Sequence, residues 1–166
     1  DTLMESALAQ PQVFVHRDYH SRNIMVTPQG ELATIDFQDA VCGAITYDLV
    51  SLLRDCYVVW PDKQVRAWVH DHWQALHDRH IIDVQESVFQ RWFDLMGLQR
   101  HIKVLGIFAR LSIRDGKHGY LNDLPTVVNY VRPAILDFQP RGLNFTQTVP
   151  PPFSNWTSKT QDPDPV

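Results

Sequence analysis

At Ile45 the hydrophobic period of the chain changes, and that switch limits the folds open to it. Before it, apolar residues fall in short β-prone runs, Val13-Phe14-Val15, Ile24-Met25-Val26 and Leu32–Phe37, the last two separated by the turn-forming Thr27-Pro28-Gln29-Gly30. Asp1–Gln10 reads as the tail of a helix, with Leu3, Ala7 and Leu8 on one face, ending before Pro11. Beyond Ile45 the spacing is helical. Leu49, Leu52, Leu53, Cys56 and Trp60 mark a helix that Pro61 stops. Asp62–Arg79 predicts a second, buried through Val65, Trp68, Val69, Trp73 and Leu76. Asp83–Met96 predicts a third and Leu98–Leu111 a fourth, with Gly97 and Gly106 as points of break or close approach. Leu121–Phe138 predicts a last helix, interrupted by Pro125 and Pro133. The fold class is therefore α+β and mainly α-helical, with small β-hairpin elements carrying loops at one end.

Composition narrows the function classes. A chain of 166 residues forms one domain of ordinary core size, and a net charge of −4 argues against a nucleic-acid partner. No apolar run approaches the ~18 residues of a membrane span, and the N-terminus lacks a signal-peptide pattern. Two cysteines, Cys42 and Cys56, make no disulfide framework; they are expected to pack as small apolar residues in a reducing, cytoplasmic setting. From Gln139 onward Pro, Ser, Thr, Asn and Asp dominate, so 139–166 is expected to be a disordered tail.

The chemistry concentrates in His16-Arg17-Asp18-Tyr19-His20-Ser21-Arg22-Asn23, followed by Ile35-Asp36-Phe37. Phosphoryl transfer from a nucleotide needs a carboxylate to orient the attacking hydroxyl and take its proton, and Asp18 has that place. It also needs hard divalent cations, which take oxygen ligands from carboxylates and amide carbonyls; Asn23 and Asp36 are the candidates. A tight hairpin between them returns Asp36 beside the loop. Four fixed residues arise by chance in such a chain roughly once in a thousand, at about one in twenty per position. The competing reading is a polar loop whose Asp and Asn cap turns.

This pattern, H-R-D-x-x-x-x-N and then D-F, resembles the catalytic and metal-binding loops of the protein-kinase-like phosphotransferases. Ile35-Asp-Phe-Gln-Asp-Ala40, without Asp-Phe-Gly or Ala-Pro-Glu, is similar to the aminoglycoside phosphotransferase and choline kinase branch. Tyr47–Tyr57 and Leu98–Leu111 are similar to bacterial anomeric kinases of N-acetylmuramate and N-acetylglucosamine, over about residues 1–137. The resemblance implies ATP and Mg²⁺ as cofactors and a small-molecule sugar substrate drawn from cell-wall recycling. It also implies that His16, Arg17 and Asp48 accompany Asp18 in the catalytic set, with Asp48 tying down the loop through backbone hydrogen bonds. Residues 1–138 are then the C-terminal catalytic lobe. None of the seven glycines forms a phosphate-cradling cluster, so the nucleotide-binding lobe is expected to lie outside this chain, which alone would be inactive. Aminoglycoside or choline kinase activity, or a non-catalytic binding module, are the alternatives.

The helices of the large lobe build the acceptor pocket in this branch, which makes Arg54, Asp55, Trp92, Arg100 and His101 candidates for holding a sugar. The competing reading is inter-helix ion pairs. His70, His77 and His80 near Trp73 invite a metal reading, but a solvated helix face fits them better, with no cysteine nearby in sequence.

Overall fold

A computed structural model describes residues 2–138. The tail from 139 lies outside the described residues. Helix α1 (Thr2–Leu8) leads into strand β1 (Gln12–Val15), followed by the polar octapeptide, β2 (Ile24–Val26), β3 (Leu32–Thr34) and β4 (Val41–Ala44). Helices α2 (Tyr47–Leu53), α3 (Asp62–Asp78), α4 (Glu86–Ile113) and α5 (Leu124–Phe138) follow. The chain is thus mostly helical, with two small antiparallel sheets, β1–β4 and β2–β3. Among the described residues no helix is long and apolar enough to cross a membrane.

The α4 helix is the spine, and α1, α2, α3 and α5 all pack on it. Its sequence explains this: apolar residues occupy its whole circumference rather than one stripe, as in a helix buried on several sides. Phe89, Trp92, Phe93 and Met96 join Val50, Leu53, Val65 and Val69 in the main core. Further along, Phe108 meets Leu124 and Val127 of α5 in a second, smaller one.

Several expectations are corrected by local chemistry. The separate third and fourth helices are one helix of 28 residues. It runs through Gly97, where the missing side chain makes room for Arg54: a Cβ there would sit 2.9 Å from the Arg54 guanidinium. The helix after Ile45 ends at Leu53 instead of continuing to Trp60. There the Asp55 carboxylate accepts the Tyr57 backbone N–H (3.3 Å), an Asx-type bond that competes with helix continuation. The third β run stops at Thr34, and Asp36 adopts a left-handed backbone (φ 67°) that no strand continues through. The β4 strand, with little β-propensity in Cys42-Gly43-Ala44, forms because β1 supplies a partner in register, Phe14 opposite Cys42. Gly43 fits there because a Cβ would meet Val15 at 3.2 Å. Cys42 is exposed rather than packed, whereas Cys56 is half-buried. Finally, α5 continues past Pro133 to Phe138.

Candidate active site

The octapeptide that follows β1 is gripped at both ends. Asp48, in the first turn of α2, accepts the backbone N–H groups of His16 (2.6 Å) and Arg17 (3.0 Å). Arg17 has φ 77°, a conformation unfavourable for a side chain of its size, and the two charge-assisted hydrogen bonds offset that strain. His16 is buried, with its ring edge-on to Tyr19 at 5.9 Å. At the other end Ser21 Oγ donates to Asp55 Oδ2 (3.1 Å), and Asp55 is buried. The Tyr57 ring receives His20 edge-on at 5.5 Å and the Arg22 guanidinium face-on at 3.5 Å. Burial, then the charges of Asp55 and Asp123, push the neighbouring Cys56 thiol up to about 11, so it is a packing group and not a nucleophile.

Asn23 links the loop to the hairpin. Its Nδ2 donates to the Asp18 carbonyl oxygen (3.0 Å), which leaves the amide oxygen as its open donor atom. The β2–β3 register pairs Ile24 with Thr34, and Ile35 N–H donates to Asn23 O (3.0 Å) one step further. Asn23 and the residue after Ile35, Asp36, therefore stand side by side at the hairpin's open end. Gln38 Nε2 donates to Asp36 Oδ1 (2.6 Å), leaving Oδ2. An amide oxygen and a carboxylate oxygen are hard donors of the kind that suits Mg²⁺, which fills its remaining positions with water and phosphate.

Asp18 and Arg17 border an open cleft of about 100 Å³, walled by Tyr47 of α2 and by Arg100, Lys103, Val104 and Ile107 of α4. Residues 100, 103, 104 and 107 follow one helical face, so α4 presents a continuous stripe to the cleft. Arg100 is fixed by three neutral groups. It donates to Arg17 O (3.2 Å) and Ser51 Oγ (2.8 Å), and its guanidinium lies 4.4 Å from the Tyr47 ring centroid. Of the five residues expected at a sugar pocket, Arg100 alone lines this cleft. Asp55 holds the loop from behind. Arg54 instead pairs with Asp94 at 2.7 Å, and Arg66 reaches the same carboxylate at 2.9 Å, so that one side chain joins the end of α2 to α3 and α4. Trp92 is 9% exposed in the main core. His101 hydrogen-bonds Arg54 O (3.0 Å) and stacks on Tyr130 at 4.7 Å; burial pulls its pKa down to about 4, keeping it neutral. Tyr47, Lys103, Val104 and Ile107 lie within the two stretches that carry the resemblance but were not singled out as site residues. Their sequence signal is the helical spacing of the last three from Arg100. Among the histidines of α3, His70 Nδ1 lies 3.0 Å from Glu86 and the rings of His70 and His77 flank Trp73.

A family model described as the phosphotransferase enzyme family matches residues 1–86, which holds the loop, the hairpin and α3. The chain belongs to that family. Its relatives include the N-acetylmuramate/N-acetylglucosamine kinase of Pseudomonas putida, 47% identical over 134 residues that make up 80% of this chain and 39% of the relative. The kinase of the same name from Neisseria meningitidis is 48% identical over 134 residues, 80% of this chain and 40% of the relative. That of Caulobacter vibrioides is 34% identical over 131 residues, 74% of this chain and 34% of the relative. The chain therefore spans about two fifths or less of the length of these curated relatives.

Proposed function

We propose that this chain is the acceptor-side catalytic lobe of an ATP-dependent kinase acting in the cytoplasm on the anomeric hydroxyl of N-acetylmuramate or N-acetylglucosamine. The observation that carries the reading is the Asn23 side chain, which ties the backbone of Asp18 to the hairpin end where Asp36 stands. In this reading Asp18 orients the sugar hydroxyl and takes its proton as the new O–P bond forms. The bond from the terminal phosphorus to the bridging oxygen breaks, and ADP leaves with the electron pair. Asn23 and Asp36 would hold Mg²⁺, which supplies charge neutralisation at the phosphates. Asp48, with the loop's His16 and Arg17, holds Asp18 in place, and Arg100 buttresses the Arg17 carbonyl from α4.

Residues 1–138 form that lobe in our proposal, and a further nucleotide-covering lobe completes the site. Two facts support this. The curated relatives are more than twice as long as the stretch they share with this chain. The strands and hairpin also leave Phe14, Val26, Leu32 and Phe37 more than 60% exposed, an apolar surface of the kind that a second body covers.

Aminoglycosides and choline are cationic, and the cleft beside Asp18 presents Arg17, Arg100 and Lys103. Like charges disfavour those acceptors. The test is ATP consumption by the longer protein against N-acetylmuramate, N-acetylglucosamine, an aminoglycoside and choline. Turnover with the amino sugars is expected; turnover confined to aminoglycosides or choline would replace this reading.

A further inference from the structure

The cleft beside Asp18 has a charge balance that a neutral sugar does not require. Arg17, Arg100 and Lys103 bring three positive charges to it, and Asp18 is its sole acidic wall residue. Among the described residues the two arginines are held by uncharged groups. Arg17 Nη1 donates to the carbonyl of Asp39 (3.3 Å), and the Arg100 partners are a carbonyl, a hydroxyl and an aromatic face. Among the described residues no ion pair involves Arg17, Arg100 or Lys103. Two of the three charges come from α4, and neither Asn23 nor Asp36, the oxygen pair suited to a metal, contributes to the wall. The two charges that α4 contributes, Arg100 and Lys103, thus lie on the acceptor side in the kinase reading, while the Arg17 guanidinium reaches toward Asp39.

We propose that this cleft selects an acceptor bearing a carboxylate, an acidic N-acetylated amino sugar such as N-acetylmuramate over its neutral counterpart N-acetylglucosamine, and that Lys103 is the residue that reads the carboxylate. The inference rests on the kinase reading above for the place of the acceptor. Lys103 differs from the arginines in being uncommitted: it is exposed, on the helical stripe with Arg100 and Ile107, and makes no hydrogen bond or ion pair among the described residues. Its flexible four-carbon stem lets the ammonium follow a charge at the cleft mouth while Val104 and Ile107 offer apolar contact to the sugar's methyl groups. Arg100 fixes the floor and Lys103 meets the ligand. The field of both arginines draws an anion in and keeps cations out.

Calorimetric titration of the full 166-residue chain with N-acetylmuramate, N-acetylglucosamine and inorganic phosphate tests this. N-acetylmuramate is expected to bind about tenfold more tightly than N-acetylglucosamine, as for one hydrogen bond to a charged group. In Lys103→Met the ratio of the two dissociation constants falls toward one. Equal affinity in the wild-type chain, no binding of either sugar, a ratio that survives Lys103→Met, or an effect of Lys103→Met on phosphate alone would each overturn the proposal. The kinase reading fails separately: selective binding without phosphoryl transfer in the longer protein removes the reaction and leaves the selectivity. Transfer to both sugars with a ratio insensitive to Lys103→Met removes the selectivity and leaves the reaction.

Discussion

The carboxylates of Asp48 and Asp55 grip the same eight-residue loop from opposite ends, one through the backbone N–H groups of His16 and Arg17 and the other through the hydroxyl of Ser21. Removing the first leaves two N–H groups and a left-handed Arg17 without their acceptor. Asp48→Ala is therefore expected to lower stability by about 2–3 kcal/mol in urea denaturation, and Asp48→Asn, which keeps one acceptor oxygen, by less. A loss under about 0.5 kcal/mol for the alanine would mean that the loop is held some other way. His101 supports a pH prediction. Its folded pKa lies near 4 against an ordinary 6.5, so the unfolded chain binds the proton more readily. The stability tied to the neutral ring is complete above pH 6.5 and is lost as pH falls toward 4, in all by about 3 kcal/mol. Urea midpoints at pH 7 and pH 5 should differ more for the wild-type chain than for His101→Gln. At this scale the polar loop stood out in the sequence by residue type and spacing, and the expected tie from Asp48 to its backbone is present. The roles of Ser51 and Tyr57 were not legible there, because each depends on a contact with a residue distant in the chain.

Among the elements, the two glycines of α4 separate local propensity from tertiary contact. A Cβ added at Gly106 would meet nothing within 4 Å, so only its backbone freedom matters. Gly106→Ala is expected to stabilise the chain by about 0.5–1 kcal/mol through helix propensity. Gly97 lies against Arg54, whose guanidinium is held by Asp94 at 2.7 Å. Gly97→Leu should displace that ion pair and destabilise, and a thermal melt of both variants compares the two directly. A rise in melting temperature for Gly97→Leu would contradict the close approach. The sequence carried the period of α3 and of the short strands well, because each has a clear apolar face. It split α4 in two, since glycine signals a break by propensity and the Arg54 contact that makes it useful is invisible along the chain. It overlooked β4, whose pairing with β1 comes from register and not from its own residues.

For the molecule as a whole, the arrangement is a helical spine with the polar loop and hairpin at one end and the cleft beside Asp18 lying against α4. In the proposed reading the groups that would handle the acceptor hydroxyl meet there: Asp18 at the cleft, Asn23 and Asp36 on the hairpin side, and the α4 stripe opposite. The account stands on Asp18 as the group that takes the hydroxyl proton. The direct measurement is the rate of phosphoryl transfer from ATP to N-acetylmuramate by the longer protein carrying this lobe, wild type against Asp18→Asn, with melting temperatures recorded alongside. A loss of about 10²–10⁴-fold at an unchanged melting temperature is the predicted result; a variant that turns over near the wild-type rate would contradict it.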